Sequence, residues 1–191
     1  MNQRLLRLLA GGGLLVALAL AVHAQGAAGG GKPPPSGPVT IDYHRGLTYA
    51  GNVLRLTGDV SITSAAYELH AEDLRIQLAG GGEKTQGASS IVAATAEGTP
   101  DKPVTGRFQQ ADEGRVIRMS ADHAVYRREA GRPDGGRIDF TGHVTMTLLD
   151  QAALAGPAVT HSEHMVVLLG QGADYPRVES GPGQATFTPL R

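Results

Sequence analysis

The side chains best equipped for chemistry in this chain are histidines and glutamates set in two matching groups. His161, Glu163 and His164 stand together, His70 and Glu72 form a second group, and His143 stands apart. Imidazoles and carboxylates at such short spacing could hold a divalent metal or move a proton. The step of three from His161 to His164 suits a helix face, but the apolar residues around it alternate as in a strand. On a strand, positions three apart face opposite sides, so these two would diverge. His161 and Glu163 could share a face, yet two ligands do not make a catalytic zinc site. The residues read instead as polar groups capping strand starts on the solvent side. Gly80 to Gly82 lacks the lysine and the helix of a phosphate-binding loop and reads as a turn. No Gly-x-Ser-x-Gly elbow presents a nucleophile. The expectation is a non-enzyme with no catalytic residue, metal or cofactor, a hydrolase built on the His/Glu pairs ranking last.

Both groups belong to a phrase used twice. Leu54 to Thr63 (LRLTGDVSIT) returns as Ile138 to Thr147 (IDFTGHVTMT), and each copy is followed by His-x-Glu-x-(Leu/Met)-x-(Ile/Val)-x-Leu, at His70 to Leu78 and at His161 to Leu169. Gly58 and Gly142 are 84 residues apart while His70 and His161 are 91 apart, which predicts a seven-residue loop insertion around Ala152 to Ala158. Each piece alternates with a strand's period of two, broken by a glycine where the strand must bend.

Alternation dominates from Val39 to Phe187, with no capped helical period after residue 24. About fourteen short strands separated by turns every ~8–12 residues predict an all-β sandwich, roll or barrel. One face is persistently aliphatic and carries few aromatics. Periodicity alone favours a filled core over an open apolar trough, since most sheet faces bury each other.

The ends differ from this middle. Met1 to Ala24 reads as a secretory signal peptide: Arg4 and Arg7, an uncharged run from Leu8 to Val22, then Val22-His23-Ala24 as the cleavage site. An uncleaved inner-membrane anchor is the alternative; against it, the run is shorter than the ~20 residues of a spanning helix. Residues 25–38, rich in Gly, Ala and Pro, form a tether, and 39–190 one domain. No cysteine is present, so the fold rests on its own sheet and core, compatible with a periplasm. A formal charge of −1 with no long basic run argues against nucleic acid.

The order of motifs resembles the OstA-like domain of the LptA family of periplasmic lipopolysaccharide-transport proteins. Pro38 to Asp42, Leu47 to Val53 and Leu56 to Val60 are similar to that family's first three strands. His70 to Leu74 is similar to its recurring x-A-D-x-L start, and Ala94 to Pro100 to its Ala-Gly-x-Pro turn. Ser120 to Tyr126 and Phe140 to Val144 follow in the family's order. The resemblance covers about residues 38 to 188. It implies an antiparallel β-jellyroll of about sixteen strands, shaped as a slightly opened V, that holds acyl chains inside and stacks end to end. An LptC-like anchored relative shares that fold. The implied partners are lipopolysaccharide or a similar acylated lipid, further copies of the chain head to tail, and other OstA-like rolls of inner- and outer-membrane complexes.

The resemblance carries lipid contact onto Val39, Phe108 and Tyr126. Alternation adds the inward apolar residues: Ile41, Leu54, Leu56, Val60, Ile62, Leu74, Ile76, Ile117, Met119, Ile138, Phe140, Val144 and Met146. The runner-up function is a structural envelope module whose roll is filled and whose edges only oligomerise. Val39 to Tyr43 at one end, with Met165 to Leu169 and Gln184 to Thr188 at the other, are the expected open edges.

Overall fold

The glycine at the centre of each repeat explains the architecture. Gly58 and Asp59 have φ of 78° and 46°, and Gly142 and His143 repeat this with 74° and 46°. Two successive left-handed residues turn a strand sharply; glycine takes the first position freely, and Asp and His are among the side chains that tolerate the second. Each pair sits as a bulge, two residues opposite one: Gly58-Asp59 face Glu72, and Gly142-His143 face Glu163.

The computed structural model describes residues 40–64, 67–79, 91–110, 114–130, 135–150, 152–170 and 176–188. The expected leader, the tether, Val39 and the Gly80 to Gly82 turn lie outside the described residues. All regular structure described is antiparallel strand: β1 (Thr40–Asp42), β2 (Gly46–Ala50), β3 (Val53–Thr63), β4 (Tyr67–Leu78), β5 (Ile91–Glu97) and β6 (Val104–Gln110). The second half holds β7 (Arg115–Ala121), β8 (His123–Arg128), β9 (Gly136–Leu149), β10 (Ala158–Leu169), β11 (Arg177–Ser180) and β12 (Gly183–Thr186).

Four long strands, β3, β4, β9 and β10, bend and serve two layers. The first layer runs β1, the C-terminal half of β3, the N-terminal half of β4, β6, β7, the C-terminal half of β9, the N-terminal half of β10, and β12. The second runs β2, then the other halves of β3 and β4, β5, β8, the other halves of β9 and β10, and β11. Twelve strands thus supply sixteen segments, eight in each layer. The fold is the all-β jellyroll expected; the described residues form twelve strands rather than about fourteen, because β3, β4, β9 and β10 each run on through their bend. Between β4 and β9 the layers close a six-membered ring, β4-β5-β8-β9-β7-β6.

The duplication is structural. Thr57 pairs Asp73 and Val60 pairs Ala71; 84 and 91 residues on, Thr141 pairs His164 and Val144 pairs Ser162. β7 and β8 lie on β9 as β1 and β2 lie on β3, and β11 and β12 lie on β10 as β5 and β6 lie on β4. The inserted loop between β9 and β10 is organised by Asp150, which accepts the amides of Ala152 and Ala153 and the Arg115 guanidinium (3.1 Å). That guanidinium holds the buried carboxyl below its ordinary range.

Candidate functional site

The interior is the candidate site, and it is graded. All the bends lie along one side, where the layers meet, and the inner residues beside them are sealed. Leu56, Val60, Leu74, Phe140, Val144 and Met165 are at most 2% exposed. Ile76, Val104, Phe108, Ile117, Met119, Ile138 and Val167 join them in the closed part of the cluster, with the Phe108 and Phe140 rings edge to face at 6.3 Å. Gly136 leaves room for the Tyr126 ring, which a Cβ there would strike, and a Cβ at Gly106 would press on the Phe108 and Phe140 rings. Away from the bends the lining is half-buried: Leu54, Ile62, Leu69, Leu78, Tyr126, Met146 and Leu169 pack on the cluster with one side uncovered. Burial raises the pKa of both Tyr126 and Tyr67 on this lining.

The lining also runs out at both ends of the roll. Leu47 and Tyr49 on β2 stand opposite the inward Leu56 and Leu54, yet are 39% and 62% exposed. Phe187, just past β12, is 63% exposed. The repeat gives these residues a meaning. By register, Tyr49 is the counterpart of Tyr126 and Phe187 that of Phe108. At the internal junction of the two repeats Phe108 is buried and Tyr126 half-buried; at the ends their counterparts are exposed.

Of the residues expected to touch lipid, Ile41, Leu54, Ile62, Tyr126 and Met146 lie on the half-buried lining. Leu56, Val60, Leu74, Ile76, Phe108, Ile117, Met119, Ile138, Phe140 and Val144 are within the sealed part, and Val39 is outside the described residues. Sequence reasoning passed over Leu69, Leu78, Leu148 and Leu169, which belong to the same lining. The alternation of β4, β9 and β10 held the signal for them.

The His/Glu groups sit on the outside, and two expectations about them, with one about an edge beside them, are corrected. His161 and His164 do not diverge: Ser162 and Met165 are both buried, so the step at the bend changes parity and both imidazoles face outward, on different layers. His161 meets the Thr145 hydroxyl (3.0 Å), while His164 meets Asp139 (3.1 Å). His70 and His161 are not at strand starts, because β4 and β10 each begin three residues earlier. Nor is Met165 to Leu169 an open edge, since β11 covers it; the edges at that end are β11 and β12.

Ion pairs pin the bends. Lys102 donates to Asp59 (2.6 Å), lowering that carboxyl's pKa, and Arg45 bridges to Glu72. In the second repeat Asp122 meets His143 (2.8 Å) and raises the imidazole's pKa, and His123 bonds Glu97. Arg137 grips Asp139 with two nitrogens and, ahead of His164, lowers its pKa. No group of three His, Asp or Glu residues placed to share a metal occurs among the described residues.

The class that this geometry defines is an internally duplicated, two-layered antiparallel β-jellyroll, open at both ends. No protein-family model and no curated protein matches the chain. A solved structure it is similar to is that of LptH, the LptA-homologous periplasmic component of the conserved lipopolysaccharide transport device from Pseudomonas aeruginosa. That chain is 13% identical, with a TM-score of 0.49 over 79% of this chain and 94% of the other.

Proposed function

We propose that this protein is a carrier of acylated envelope lipid, acting outside the cytoplasm as a segment of a bridge toward the outer membrane. One observation carries the proposal: an aliphatic lining that is sealed at the bends, half-open opposite them, and exposed at both ends of the roll. Such a surface receives an acyl chain without charged readout, at roughly 0.8 kcal/mol per buried methylene. The motif order resembling the LptA family favours lipopolysaccharide or a related glycolipid, and the leader-like residues 1–24 favour export.

The open ends support head-to-tail association. Inside the chain β5 pairs β8 and β6 pairs β7; the same roles, continued to a second copy, set β11 on its β2 and β12 on its β1. Tyr49 would then be half-buried as Tyr126 is, and Phe187 buried as Phe108 is. The two surfaces differ, so the assembly grows as an open rod rather than a closed ring. OstA-like partners of other chains could use the same edges.

The sealed part of the core supports a second reading, a structural roll that oligomerises without cargo. Extraction and mass spectrometry of protein purified from its own host decide between them. Stoichiometric acylated lipid is expected; a lipid-free protein that still forms rods favours the structural module and refutes the carrier.

A further inference from the structure

We propose that the outer face of the first layer holds a binding site for a phosphorylated sugar, centred on Arg107 and Arg118. The two arginines lie directly opposite each other on β6 and β7. Both side chains are exposed on the outer face, because their neighbours Phe108, Ile117 and Met119 point inward. Like charges directly opposite destabilise a sheet. Among the described residues neither guanidinium is in an ion pair with a carboxylate, and Arg107 is bonded to the neutral Gln109 (3.0 Å). Glu68 is opposite Arg107 on the other side, yet it is engaged by His70 (2.9 Å).

The duplication supplies an internal control. By register, the counterparts of Arg107 and Arg118 are Thr186 and Thr40, both neutral and both compatible with the strand. The fold therefore has no need of arginine at these positions, and the paired charge calls for a ligand. The arginines border a concave site of about 320 Å³, a volume at the small end of ligand sites. Its remaining walls carry the hydroxyls of Thr105, Ser120, Thr145 and Thr147, with the Glu68–His70 pair at one side. Two guanidiniums match a phosphate monoester of charge about −2 better than a single carboxylate, and bind it bidentately. The row of hydroxyls offers donors and acceptors to sugar hydroxyls. This site is on the opposite face of the layer from the lipid lining, so it stands or falls independently of the carrier reading.

The test is a titration of the ¹⁵N-labelled full chain with glucose 1-phosphate, followed by amide shifts. Saturable shifts at Thr105, Ser120, Thr145 and Thr147 are expected, with no response to glucose. R107T/R118T installs the residue found at both counterpart positions and removes the opposed charges, so its thermal midpoint should equal or exceed the parent's while its affinity falls at least about tenfold. R55T, on the outer face of the second layer, should bind as the parent does. Absent shifts, an R107T/R118T chain that binds normally, or equal loss in R55T would overturn the site. Inorganic phosphate binding as tightly as glucose 1-phosphate would overturn its assignment to a sugar.

Discussion

A carboxylate placed at two depths of the lining separates packing from binding. Val60 is fully buried, so Val60→Asp strands a charge among apolar side chains, at a cost of several kcal/mol. Against a total stability of about 5–15 kcal/mol, that variant should be largely unfolded, and so should Ile117→Asp at 5% exposure. Ile62 and Met146 lie on the half-buried lining, where a carboxylate can still reach water. Ile62→Asp and Met146→Asp should stay folded, losing about 1 kcal/mol, a common cost of single substitutions. Removing contact with about three methylenes of an acyl chain loses roughly 2.4 kcal/mol, or about 50-fold in affinity. Displacement of a fluorescent fatty acid, read beside thermal unfolding, measures both effects. A folded Met146→Asp that binds within twofold of the parent refutes the lining as the lipid site. A Val60→Asp chain with the parent's midpoint refutes the sealed side.

Three further outcomes follow from the geometry. Phe140→Ala should destabilise by about 3–5 kcal/mol in denaturant unfolding, with a coupling of about 0.5–1.5 kcal/mol to Phe108 in a double-mutant cycle. Because Asp122 raises the pKa of His143, their contact stabilises below the ordinary imidazole value near pH 6.5 and fades as pH rises through the raised value. The gap in thermal midpoint between the parent and Asp122→Asn should therefore be wider at pH 5.5 than at pH 8.5. Ile41→Pro removes a ladder donor from the end strand β1 and should shorten concentration-dependent rods in light scattering while leaving the circular dichroism of the roll intact.

The strands, their inward aliphatics and the duplication were legible in the sequence, because alternation and a Gly-Asp or Gly-His bend are local signals. The offsets of 84 and 91 even located the inserted loop, since register follows pattern when one face is buried. Leu56, Val60, Phe140 and Val144 face inward as that pattern requires. Pairing decided the rest. The change of parity in β10 depends on which residue faces the bulge of β9, so the outward turn of both His161 and His164 could not be read from β10 alone. Nor could local signals show which strands close the ring and which are left as edges, or that Leu47, Tyr49 and Phe187 stay uncovered. The meeting of Arg107 with Arg118 likewise exists only once β6 and β7 are set in register. Sequence determines what each strand presents on its two faces; only the closed sheet determines which face is sealed, which is open, and which charges are left opposite one another.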